Sequence, residues 1–183
     1  GDISMSTLIT TTVQGVQNIK YDGSTTAMTI DSTGRILQPA KPAFRVSKAT
    51  NQSISNGTYT KVTWDSEHWD IGSNFDISNN KFTAPVAGIY HFDCILRITA
   101  NGGTMEIGMN KIYRNGSVYC DLFQFHVAAN QMANSHIGGG VDMQLNATDY
   151  VEIYAYIEGT SPVVGGISDT YGSRCWFSGH LIG

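Results

Sequence analysis

From Gly88 to Ala100 the chain reads GIYHFDCILRITA, and every second residue from Tyr90 to Ile98 is apolar. A helix would scatter that pattern around its axis, whereas an extended strand places alternate residues on opposite faces. Tyr90, Phe92, Cys94, Leu96 and Ile98 therefore share one face, and His91, Asp93, Ile95 and Arg97 share the other. No stretch elsewhere sustains a helical period.

The same alternation recurs along the chain. YVEIYAYI (150–157) puts Val151, Ile153, Ala155 and Ile157 inward and leaves Tyr150, Tyr154 and Tyr156 opposite. GGVDMQL directs Val141, Met143 and Leu145 inward, while AFRVSK, YTKVTW and CWFSGHLI supply further short runs. Asn115-Gly116 joins TMEIGMNKIY to SVYCDLFQFHV, the strongest short-range hairpin signal. Short strands at this rhythm predict an all-β fold, an antiparallel jelly-roll sandwich.

Hydrophobic residues make up 41% of the chain, enough for a core in 183 residues, and charged residues only 14%. A net charge of −4 leaves no electrostatic footprint for nucleic acid or an anionic membrane. No apolar run reaches the length of a membrane span, and no secretory leader pattern opens the chain. Cys94, Cys120 and Cys175 are odd in number and lack metal-type spacing, so they read as buried thiols of a protein assembled in a reducing cytosol.

Three segments are expected. Gly1 to Ser4 read as a cloning remnant ahead of Met5, residues 5–42 form an N-terminal arm, and 43–183 form the head. The arm scatters Val13, Val16, Ile19, Met28, Ile30, Ile36 and Leu37 between turn signals at Asp22-Gly23 and Thr33-Gly34, too few to enclose a core in one chain. It is either a disordered tail or an extended arm whose strands pair with copies of themselves. Pro39 and Pro42 stiffen its boundary.

Chemistry finds little support. Asp65, Glu67 and Asp70 cluster around His68, but with nothing nearby to desolvate them they read as a solvated loop. His91 and Cys94 would project from opposite strand faces and cannot share a metal. Gly138-Gly139-Gly140 leads into a strand with no following Lys, so it reads as a bulge or a close approach between chains, not a phosphate loop. No catalytic residue is assigned, and the chain is not expected to be an enzyme.

The order and spacing of Trp64, Asp70, Phe75, Phe82, Gly88, Tyr90 and Phe92 resemble the complement C1q-like globular head, a relative of the tumour necrosis factor fold. Trp64 stands where that family usually has Phe. Further landmarks follow in order: the Asn115-Gly116 hairpin, Gly140-Val141 with Leu145, Asp149 with Val151, and Phe177-Ser178-Gly179. Two positions depart from the pattern. The family's Gly-Asp turn is Thr148-Asp149, and Ile153 replaces a common Trp. On this reading Trp64, Phe75, Phe82, Gly88, Tyr90, Phe92, Phe177 and Gly179 are packing residues, and Gly88 tolerates positive φ or a close backbone approach.

The resemblance implies a homotrimer, with Ile95, His136, Tyr150, Tyr154 and Tyr156 at its interface. His136 enters the strand that resembles the family's axial strand, so three copies meeting there would make a metal or anion site. Some relatives bind calcium; the loop Asp and Asn residues permit it, but no ligand ladder of the expected spacing is present. No cofactor is assigned.

The order of arm and head, with MSTL and TTAMTIDSTGRILQPAKPAF before the first head strand, resembles small structural proteins of tailed bacteriophages. That implies a virion component assembled in the host cytoplasm, its arm joined to other virion proteins. The expected role is a tail fibre or spike-type head adhering to a host surface glycan or protein. The alternatives are a capsid decoration protein with no host ligand, or a secreted C1q-like ligand or lectin. Candidate binding loops are 101–104, 128–134 and 158–171, carrying Asn101, Asn130, Asp169 and Tyr171.

Overall fold

The computed structural model describes residues 17–128, 132–165, 168–169 and 172–183, and the described residues form strands and turns without a helix. They divide into two compact units between Ala40 and Lys41. Gly1 to Gln14 and the next two residues, which include the start of the expected arm, lie outside the described residues.

The first unit holds β1 (Asn18–Lys20), β2 (Thr26–Ile30) and β3 (Ile36–Leu37) in one antiparallel sheet. Carboxylates tie its two turns. Asp22 accepts the Ser24 N–H at 2.8 Å, and Asp31 accepts those of Thr33 at 2.9 Å and Arg35 at 3.0 Å. Cross-strand register puts Ile19, Met28, Ile30 and Ile36 on one face, with Ile19 and Ile36 exposed.

The second unit begins with β4 (Ala43–Ser47), β5 (Gln52–Ser53), β6 (Thr60–Lys61), β7 (Ser66–Ile71), β8 (Phe75–Asp76) and β9 (Lys81–Thr83). Five long strands follow: β10 (Gly88–Ala100), β11 (Met105–Arg114), β12 (Ser117–His126), β13 (Asn134–Leu145) and β14 (Tyr150–Gly159). β15 (Pro162–Val164), β16 (Ser168–Asp169), β17 (Gly172–Ser173) and β18 (Trp176–Leu181) complete it.

The first sheet runs β5-β15-β10-β18-β4-β7, and β13 pairs with the other edge of β10. The second runs β12-β11-β14-β9-β8, with β6 also on β14. All pairings are antiparallel, and the two sheets face each other as a jelly roll. β10 organises the first: β13 follows it from Gly88 to Thr99, while its opposite edge takes β18 and then β15.

The alternating apolar residues meet between the sheets. Phe44 stacks on Phe75 and Phe82 with centroids 4.9 Å from each, and Phe177 meets it edge-on at 5.0 Å. Trp64, Tyr90 and Phe92 are buried with them, each ring contributing on the order of 2 kcal/mol or more through burial. The Tyr90 hydroxyl donates to the Val86 carbonyl at 2.8 Å, so its polar end is satisfied. Gly179 lies beneath these rings, and a Cβ there would fall 2.5 Å from Phe92 Cδ1.

Several expectations are revised. Asp65 to Asp70 do not form a solvated loop. β7 pairs with β4, Asp65 caps the backbone N–H groups of Ala49 and Thr50, and Asp70 accepts the Phe75 N–H. The expected loop 158–171 contains β15, whose Val163 and Val164 are buried against β10 and β5; Pro162 opens that strand. Gly138-Gly139-Gly140 makes no bulge, since β13 keeps unbroken register with β10. The triplet serves close approach within the chain: a Cβ on Gly139 would sit 2.6 Å from the Leu122 carbonyl oxygen. At Gly88 the requirement is likewise space, with Leu181 Cδ1 2.6 Å from any Cβ. Asn115-Gly116 turns between β11 and β12 with φ of 52° and 76°, the left-handed pair of a type I′ hairpin.

Candidate subunit interface

The outward residues of β10 form a graded stripe: Ile89, His91, Asp93, Ile95 and Arg97. Strand register extends each into a row. Ile89 lies opposite Gln144, and its backbone also bonds Ile182 and Gly183. His91 stands between His180 of β18 and Asp142 of β13, Asp93 between Ser178 and Gly140, and Ile95 between Trp176 and Gly138. Arg97 faces His136. The Arg45 guanidinium lies over the Trp176 ring, 4.7 Å from its centre.

Glycine leaves a depression beside this stripe. Gly138, Gly139 and Gly140 floor a trough of about 350 Å³, walled by Ile95, Trp176, Phe123 and His136 and bounded by Asp93. Phe123 reaches it from β12 of the second sheet. Among the described residues, β12 pairs only with β11 and β13 only with β10, so both sheets leave a long strand edge on the same flank. Val118, Tyr119 and Phe123 are exposed on β12, at 50%, 41% and 42%. Exposed apolar side chains grouped in this way favour association with another surface.

Ionic groups punctuate the stripe. Nδ1 of His91 lies 2.6 Å from an Asp142 oxygen, and Nε2 lies 2.9 Å from an Asp93 oxygen. A ring with a carboxylate at each nitrogen is best satisfied as the imidazolium, which donates from both. The Asp142 hydrogen bond is the main influence raising the His91 pKa above its ordinary value. His136 shifts the other way, because burial and then the positive charges of Arg174 and Arg97 disfavour its cation. Those guanidiniums would also repel a metal ion at this position.

The five residues expected at an interface are separated. Ile95 and His136 border the trough on the first sheet, whereas Tyr150, Tyr154 and Tyr156 lie on the outer face of the second. The tyrosines are half-buried by their own chain. Tyr113 stacks on Tyr154 at 3.9 Å, Tyr59 packs on Tyr156 at 4.9 Å, and the Lys81 ammonium lies 4.9 Å from the Tyr150 ring centre. Lys61 and Glu152 form an ion pair between them on the same face. Sequence reasoning missed this cover because the partners lie 40 or more positions away. It also missed Phe123, whose place on the trough wall depends on the approach of two strands from different sheets.

Surface loops converge at one pole of the head. Ala100 N–H donates to Ala133 O, Met105 N–H to Met132 O, Asn101 N–H to Ser161 O and Thr160 N–H to Thr104 O. Asn101 thus meets the segment before β15, while its neighbour Ala100 meets Ala133 of the expected loop 128–134. Asn130 and Tyr171 lie outside the described residues, and Asp169 belongs to the β16–β17 hairpin. At the opposite pole Lys41 Nζ donates to Ile182 O at 2.9 Å and Leu181 N–H to Pro42 O at 3.0 Å. Cys94 and Cys175 are buried thiols and Cys120 is partly covered. Among the described residues no group of three His, Cys, Asp or Glu side chains is placed to hold a metal, and no helix is long and apolar enough to cross a membrane.

Two facing antiparallel sheets, with β12 and β13 each paired along one edge beside a glycine-floored trough, define a jelly-roll head. The chain belongs to the C1q domain family, which matches residues 43–182. The globular domain of zebrafish complement 1qA is similar in fold, with a TM-score of 0.53 and 20% identity over 78% of this chain and 98% of that one. Among curated proteins, the phage-like element PBSX protein XkdV of Bacillus subtilis (strain 168) is 29% identical over 133 residues, 69% of this chain and 19% of that protein. The uncharacterized protein YqcC of the same organism is 30% identical over 109 residues, 57% of this chain and 29% of that protein. The chain therefore spans less than a third of the length of either relative.

Proposed function

We propose that the chain is a non-enzymatic structural protein of a phage or phage-like particle, a homotrimeric fibre- or spike-type head that adheres to a host surface glycan or protein. The observation that carries this reading is the C1q head at residues 43–182 together with similarity to a protein named for a phage-like element. Trimer formation draws support from the flank. Three copies joined head to tail would set the β12–β13 edge of one, with Phe123, against the outer face of the first sheet of the next, with Ile95, Trp176 and His136. The arm serves as the attachment segment towards other virion proteins. Adhesion is assigned to the pole where the loops around Asn101, Met132 and Thr160 converge.

Sedimentation equilibrium of the purified chain tests the trimer; three times the monomer mass is expected, falling to one in Ile95→Asp or Phe123→Ser. Antibody labelling of intact particles tests the location, with label at the tail tip expected. Label across the capsid shell would replace the fibre assignment with a decoration role. Binding to host polysaccharides by the trimer tests adhesion, and silence across them would remove it.

A further inference from the structure

On the outer face of the first sheet, two apolar bands enclose one ionic group. Ile89 and Ile182 lie on one side of it, and Ile95 and Trp176 on the other. Between them His91 holds Asp142 of β13 at 2.6 Å and Asp93 of its own strand at 2.9 Å, while His180 of β18 stands with its ring 5.5 Å away. Arg45 of β4, opposite Ser178, is directed to Trp176. A partner that covers both apolar bands must also cover the ionic group between them.

We propose that subunit association through this face is proton-linked, with His91 in its imidazolium form bridging Asp93 and Asp142 in the assembled state. The inference rests on the trimer reading above. Removal of water strengthens every charge interaction in the cluster. With His91 protonated, one cation faces two carboxylates and both ring nitrogens donate. With His91 neutral, one nitrogen turns a lone pair towards a carboxylate, and two like charges are left without a cation in a desolvated seam. Three protomers repeat that penalty around the assembly. Protonated His91 therefore favours the trimer, and association weakens as pH rises through its raised pKa.

Sedimentation equilibrium of the full chain between ~pH 6 and ~pH 9 tests the linkage. The trimer dissociation constant is expected to rise at least about tenfold across that range. His91→Gln, which can donate to one carboxylate but carries no charge, is expected to flatten the profile; His180→Gln is expected to retain it, and circular dichroism checks that both fold. A wild-type trimer of equal affinity throughout, or a pH profile that survives His91→Gln, overturns the proton linkage while leaving the trimer intact. Monomers at every pH overturn the interface itself and the linkage with it.

Discussion

Tyr154 and Tyr113 lie face to face on neighbouring strands β14 and β11, their centroids 3.9 Å apart and their planes 26° from parallel. Each ring covers the other from water on the outside of the second sheet. Tyr113→Ala should lower stability by about 1–2 kcal/mol, from the lost ring pair and the apolar area it exposes. Urea unfolding measures the loss. Sedimentation of the same variant should still give the trimer, because this face lies away from the proposed seam.

Thr148 occupies the turn before β14 with φ of 74°, a left-handed conformation that a β-branched residue adopts only under strain. The turn is kept because neighbours fix it. Thr148 N–H donates to Ala84 O at 2.8 Å, and Asp149 accepts from the Asn115 side chain at 2.7 Å and the Asn146 N–H at 2.9 Å. Thr148→Gly removes the steric conflict but loosens the unfolded chain, so a net gain of about 0.5–1 kcal/mol is expected. A higher urea midpoint with an unchanged slope confirms it.

Asp65 ties β7 to the segment after β4. Burial alone would raise its pKa, but the N–H groups of Ala49 and Thr50, the Thr50 hydroxyl and nearby Lys48 hold it below the ordinary 3.8. A depressed folded pKa means that the stabilisation is complete above the unfolded value and is lost as pH falls through the folded one. Asp65→Asn should be less stable than the parent at neutral pH. The gap should narrow below about pH 3.8, read from urea unfolding at a series of pH values.

Asn110 on β11 is fully buried, and neither atom of its amide makes a hydrogen bond of ordinary geometry. The Cys94 thiol lies near enough for Asn110 to favour its ionised form, although burial dominates and keeps the thiol protonated. Leucine of similar volume would remove an uncompensated polar group. Asn110→Leu is expected to raise stability by about 1–2 kcal/mol, seen as a higher thermal midpoint.

Much of the sandwich was legible because period-two patterns report burial on one face. Tyr90 to Ile98 and Val151 to Ile157 point inward as their spacing requires, and Asn115-Gly116 marks its hairpin by the φ values it adopts. The pattern fails where a strand is not half-buried by its own neighbours. β7, SEHWDI, carries charge because it lies at the sheet edge, so its residues resemble a loop. β15 is three residues long and its strand identity comes from β10 and β5, which lie far away in sequence. The surface was harder still. An outward tyrosine reads the same in sequence with or without a ring such as Tyr113 packed on it, because that contact is made across strands.

The pairing of Pro42 with Leu181 and of Lys41 with Ile182 brings the first and last residues of the head to one pole. Fusing cargo at either of those neighbouring positions leaves the distant crown around Asn101 unobstructed. A spacer inserted ahead of Lys41 should therefore change reach without altering what the crown can touch.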